Sequence, residues 1–163
     1  STGSQKMNAL MKSALFYGTW YPKLWLPFKG WLGYGEFGRL AKHMRFVERS
    51  SRKLGRTLFH CMIRFGPKLE KKQAVLGRLV EIGAELLAIS AACSRAHAML
   101  KKNPSERGPE VLADTFARQA ELRVAQKFAD VWTNADDATY ATARQVLDGK
   151  LLWLEDGIVK ATE

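Results

Sequence analysis

From Phe37 to Leu154 apolar side chains return every three or four positions, interrupted at Gly66-Pro67 and Asn103-Pro104. That spacing sets one side of a 3.6-residue helix against a core, and no stretch alternates with period two for long enough to make a strand. The expected fold class is therefore all-α, a bundle of about four main helices. The first, about 36–65, carries Phe37, Leu40, Met44, Val47, Leu54, Leu58 and Phe65, with Ser51 and Cys61 keeping the spacing. Gly66-Pro67 stops it, since glycine tolerates a left-handed C-terminal position and proline cannot extend the hydrogen-bond ladder. The second, about 68–102, mixes Leu76, Leu79, Val80, Leu86, Leu87 and Ile89 with Gly83, Ala84, Ala88, Ala91 and Ala92. Small residues admit a close neighbour, so this is the expected central helix, and Asn103-Pro104 ends it. The third, about 109–132, opens with Pro109 in its first turn. The fourth, about 136–156, begins with Asp136 and Asp137, where the positive end of a helix favours carboxylates. Residues 7–16 read as a short extra helix.

Ahead of the first long helix the pattern changes. Eight of the 17 aromatic residues fall between Phe16 and Tyr34, interleaved with Lys23 and Lys29 and broken by Pro22, Pro27, Gly30, Gly33 and Gly35. Residues 1–35 are thus read as an aromatic, basic segment that contacts a membrane or another part of a protein, and 36–163 as the helical bundle. The charge is as uneven as the aromatics. Of the net +10, residues 1–72 supply +12 and residues 73–163 supply −2. Such asymmetry points to an anionic partner surface. At about 100° per residue, Arg39, Lys42, Arg45, Arg49, Arg52, Lys53 and Arg56 form a cationic face opposite the apolar stripe of the first helix.

Several chemistries find no footing. No run reaches the roughly 18 uncharged apolar residues of a membrane span, and the N-terminus lacks the charged-then-apolar layout of a signal peptide. Cys61 and Cys93 are too few for a disulfide scaffold; they read as core thiols in a reducing compartment. His43, His60 and His97 lie far apart with no second ligand at helical spacing, so each reads as a surface or boundary residue and no metal site is expected. Cys61 and His60 point about 100° apart and cannot act as a nucleophile–base pair. Gly30, Gly33, Gly35 and Gly38 are not preceded by a strand or followed by a Lys-Ser/Thr pair, so no phosphate loop is read. Glu81 and Glu85, with Arg78 three residues before Glu81, read as a solvated salt-linked face. No catalytic residue is assigned.

Two stretches carry a resemblance. Arg78-Leu79 runs through Leu86 and Ala88 to Ser94-Arg95-Ala96 and Leu100, and Asp114-Thr115 is followed by Ala120 and Arg123. In this order, after a basic, Gly- and aromatic-bearing entry and a long helix, they resemble the appended C-terminal helical domain of the very-long-chain acyl-CoA dehydrogenases, across roughly 6–155. The resemblance implies a parent enzyme that is an FAD-dependent homodimer, oxidises long-chain acyl-CoA thioesters, passes electrons to an electron-transfer flavoprotein and sits peripherally on an inner membrane, on its cytoplasmic or matrix side. It also implies that the flavin and the catalytic glutamate belong to a preceding core, so no cofactor is expected in this chain. The resemblance carries over membrane association as a region, about Leu10–Arg45, and packing of the later helices against the catalytic core of the enzyme.

On that reading Trp20, Tyr21, Lys23, Trp25, Leu26, Phe28, Lys29, Trp31 and Leu32 contact the membrane. Trp and Tyr suit the headgroup boundary because the ring is apolar while its N–H or O–H stays hydrated. Three alternatives stand beside it: packing of the aromatic segment on the dehydrogenase core or a dimer mate, a stand-alone protein-interaction helical bundle, and nucleic-acid binding. The last is not expected, because Leu24, Leu26 and Leu32 among the tryptophans suit acyl chains better than a polar strand.

Overall fold

The computed structural model describes residues 11, 15, 17–26 and 33–157. Among the described residues every regular element is helical and no strand occurs. The four main helices are α1 (Ala41–Phe65), α2 (Gln73–Lys102), α3 (Gly108–Asp130) and α4 (Asp136–Leu147). The chain divides into two compact units, Ser1–Val131 and Trp132–Glu163.

In the first unit α2 packs against both α1 and α3, as its small residues suggested. Val75, Leu79, Ile82, Leu86, Ile89, Cys93 and Ala96 form its buried face at alternating steps of four and three. Toward the α2 N-terminus they meet Cys61 and Val131. Farther along, Ile82 and Leu86 pack with Val124 and Phe128 of α3 and with Phe46, Val47 and Leu54 of α1. Near the α2 C-terminus Ile89 and Cys93 meet Leu40 and the alanines Ala113, Ala117 and Ala120, whose small side chains bring α3 close. Each fully buried Leu or Ile stabilises by about 1.5–3 kcal/mol.

Local departures from the sequence reading have local causes. The first helix starts at Ala41 instead of 36, because residues Gly35–Leu40 form a 3₁₀ segment kinked at Gly38. On α1, Ser51 is exposed and Leu58 is 41% exposed, while His43, Ser50 and Thr57 are buried. These three lie seven residues apart, so the interior face is centred one position from the expected stripe and includes polar groups. Thr57 satisfies its hydroxyl on the Lys53 carbonyl at 2.8 Å. On α2, Ala84 and Ala91 face solvent instead of a neighbour. Residues 7–16, read as a helix, lie outside the described residues apart from 11 and 15; the chain is helical over 17–23.

The second unit contains α4 and a 3₁₀ turn, Leu152–Glu155. The helix expected over 136–156 ends at Leu147. Gly149 takes φ 70°, a left-handed position that an L side chain resists. Its N–H donates to the Val146 carbonyl at 3.0 Å and the Lys150 N–H to the Gln145 carbonyl at 2.9 Å, closing the end of the helix.

Candidate interaction surface

The aromatic entry segment folds back along α1. Residues 17–23 are helical, and the Leu24, Trp25 and Leu26 N–H groups donate to the Tyr21, Pro22 and Lys23 carbonyls in successive tight turns. Tyr17 and Tyr21 lie against Phe59 with ring centroids 5.3 and 5.0 Å apart, and Trp20 meets the same ring at 6.4 Å. The Tyr21 hydroxyl lies 2.8 Å from His60 Nε2. Gly55 faces the segment, and a Cβ there would meet Leu24 Cδ1 at an ordinary contact distance of 3.5 Å.

Two members of the cationic face hold this segment down. Arg52 donates to the Leu26 carbonyl at 2.7 Å and also lies 3.2 Å from Glu48. Arg56 donates to the Leu24 carbonyl and stacks 4.3 Å from the centre of a Trp25 ring. The guanidinium fork thus satisfies backbone carbonyls just past a helix end and meets an aromatic face at the same time. Lys53 lays its stem along the protein with its ammonium 4.2 Å from the Phe128 ring centre. Arg45 is half-buried; Arg39, Lys42 and Arg49 are exposed.

The predicted membrane-contacting residues therefore fall into three groups. Trp20 and Tyr21 are half-buried on α1. Lys23 is exposed, as are Trp25 at 62% and Leu26 at 65%, with Met11 and Leu15 also exposed farther back. Phe28, Lys29, Trp31 and Leu32 lie outside the described residues.

A polar cluster that sequence spacing missed lies at the other end of α1. His43, read as a surface or boundary residue, is 1% exposed. Its Nδ1 is 2.7 Å from Glu121 Oε1 and its Nε2 3.0 Å from Asp114 Oδ1. Asp114 also accepts from Lys42 at 2.6 Å and from Arg118 at 2.7 Å. The Lys42 ammonium, with His43 and Arg118, holds the Asp114 carboxyl far below the ordinary carboxylate range. The arrangement ties α1 to α3, and among the described residues no buried side-chain nitrogen or oxygen is left without a partner, so it reads as a structural lock. The signal in the sequence was the polar residue at the head of the His43, Ser50, Thr57 series, but its partners are remote.

Glu81 and Glu85 also find their partners in another helix. Arg123 of α3 grips Glu85 with two bonds, 2.6 and 2.9 Å, and Lys127 of α3 pairs with Glu81. The Arg123 hydrogen bond lowers the Glu85 carboxyl below its ordinary range. Cys61 and Cys93 are buried free thiols, and burial pushes the Cys93 thiol up to about 11. Among the described residues no helix is long and apolar enough to cross a membrane.

The chain matches the family model described as ACAD9/ACADV, C-terminal domain, over residues 38–149. It is 49% identical, over 163 aligned positions, to the probable acyl-CoA dehydrogenase FadE10 of Mycobacterium bovis and to the proteins of that name from two strains of Mycobacterium tuberculosis. The alignment covers 98% of this chain and 25% of each relative, so the chain spans about a quarter of the length of the curated relatives it matches. No solved structure matches it.

Proposed function

The chain belongs to the ACAD9/ACADV C-terminal domain family, and on that premise we propose that it is the non-catalytic accessory domain of an FAD-dependent long- or very-long-chain acyl-CoA dehydrogenase of fatty acid β-oxidation. The domain holds that homodimeric enzyme at the cytoplasmic or matrix face of an anionic inner membrane, where long acyl chains partition and an electron-transfer flavoprotein collects the electrons. The observation that carries the family half of this reading is 49% identity across 98% of the chain.

The membrane half is supported by the exposed side chains of Lys23, Trp25 and Leu26. An exposed indole and a leucine beside a lysine suit the headgroup boundary. Exposed cations such as Arg39 and Arg49 add about 1 kcal/mol each near an anionic surface, an attraction that salt weakens. Trp20 and Tyr21 then act from beneath, stiffening the segment that presents Trp25.

The flavin belongs to the rest of the enzyme. The grooves along α2 and α3 are lined by Ala, Leu, Met, Phe and Pro side chains, with Arg95 and the already paired Glu81, Glu85 and Lys127 among them. Among the described residues none of them places a glycine-rich turn at a helix N-terminus to take a pyrophosphate. These residues do not fit FAD, and no step of the oxidation is derived through them.

A second reading has its own observation. Tyr17, Trp20 and Tyr21 already pack on Phe59, so the aromatic segment also serves as a protein contact, within the domain or against a dimer mate. The family half is tested with the full-length polypeptide that carries this chain. It is expected to show a flavin absorption spectrum and to oxidise a long-chain acyl-CoA with an electron-transfer flavoprotein as acceptor. A full-length protein without flavin and without turnover would contradict it.

A further inference from the structure

Among the described residues, the buried faces of α2 and α3 leave a second, outward face of exposed side chains. On α2 it is built from Gly77, Val80, Ala84, Leu87 and Ala91, spaced three and four apart, all exposed and all uncharged. Val80 is 72% and Leu87 71% exposed. On α3 the outward positions Leu112, Thr115, Gln119, Leu122 and Gln126 keep the same spacing and are again exposed and uncharged, with Leu112 and Leu122 each 73% exposed. Four turns of each helix therefore carry no formal charge on one side, in a chain of net charge +10.

Between the two rows runs a shared groove. One stretch, of about 490 Å³, is lined by Ala84, Ala88 and Phe116, with Glu81, Glu85 and Lys127 at its sides. A second, of about 310 Å³, continues from Phe116 past Ala92 to Met99 and Leu112. Beside the first stretch the charges are matched, Glu85 with Arg123 and Glu81 with Lys127, while the Arg95 side chain lines the second. A partner covering the first stretch would bury matched pairs and apolar surface, and one that continues along the second would meet Arg95 with a polar or acidic group of its own.

We infer that this α2–α3 face is the seat of a helical element from the dehydrogenase portion of the parent enzyme. The inference rests on the proposed function and specifies its partner surface. Two observations select the occupant. The relatives carry about three quarters of their length outside the region matched here, so a domain of this family has a large body of its own polypeptide to seat upon. The row of Gly77, Ala84 and Ala91 between Val80 and Leu87 alternates small and large side chains at steps of three and four, the surface that a facing helix fits at close distance. A lipid surface fits less well: the face has Thr115, Gln119 and Gln126 and lacks the tryptophans and flanking lysines of the entry segment.

The test is maleimide labelling of the flavin-bearing full-length polypeptide with L87C, L122C or S51C, the last on the exposed side of α1. Cys61 and Cys93 are buried and set the background. L87C and L122C are expected to label at least tenfold more slowly than S51C, and equally fast in denaturant. Equal rates in the native, flavin-bearing protein would overturn the inference and leave the proposed function standing. A disulfide between two chains through L122C would give the face to a second copy and also overturn it. A full-length protein that holds no flavin and oxidises no acyl-CoA would overturn the proposed function itself and remove the occupant with it. Radical footprinting of Leu87 and Leu122 in the unsubstituted protein gives the same reading should a cysteine variant fail to fold.

Discussion

His43 is joined to residues 71 and 78 positions away, Asp114 and Glu121, and that separation is why no local pattern revealed it. A lone histidine on an amphipathic helix is read by its neighbours in sequence, whereas its burial is decided by which carboxylates α3 delivers. Asp114 is the centre of the cluster, accepting from Lys42, His43 and Arg118. Asp114→Asn keeps the shape but weakens three charge-assisted bonds, and is expected to cost about 1–3 kcal/mol in urea unfolding, measured as a lower midpoint at unchanged slope. The carboxyl titrates lower in the folded chain than its unfolded value of about 3.9. Its contribution is therefore complete above that value and fades as the pH falls below it toward the folded pKa. Urea midpoints are expected to drop between about pH 4 and pH 2, and to drop less steeply in Asp114→Asn. Equal slopes in the two proteins would show that Asp114 is not the group that titrates.

At the scale of elements, the helices were legible because the spacing of three and four is imposed by geometry wherever one side packs. Gly66-Pro67 and Asn103-Pro104 marked their breaks correctly, and α1 ends with Gly66 at φ 51°. The early end of α4 was hidden because Leu151 and Leu154 continue the spacing beyond Leu147, so periodicity outvoted the Asp148-Gly149 stop. The small residues of α2 were legible as a class but not by face: Ala92 packs on the core while Ala84 and Ala91 face outward. The dense aromatic segment was legible in composition, yet the ring on which its Tyr17, Trp20 and Tyr21 pack, Phe59, lies on another element and could not be read from it. For α4, Gly149→Ala forces a side chain into a left-handed position and is expected to cost about 1 kcal/mol. Hydrogen exchange should quicken at the Gly149 and Lys150 amides while protection in α1 to α3 is unchanged. Unchanged exchange at those two amides would contradict this account of the cap.

For the whole molecule, the charge asymmetry gains a structural form. The cationic first part is not a uniformly solvated face, because Arg52 and Arg56 turn onto the carbonyls of the entry segment and Lys42 turns onto Asp114. Among the described residues, Lys23, Trp25 and Leu26 of the entry segment stay outward, as do Arg39 and Arg49. Attachment through exposed aromatic and cationic side chains of this kind is reversible and depends on both contributions together. The most direct measurement is co-sedimentation of the chain with cardiolipin-containing vesicles across a salt series, with neutral vesicles as reference and a Trp25→Ala/Leu26→Ala variant alongside. The account predicts binding to the anionic vesicles that weakens but persists at moderate salt and falls several-fold in the variant. No binding at low salt, or binding untouched by the two substitutions, would contradict a membrane role for this surface.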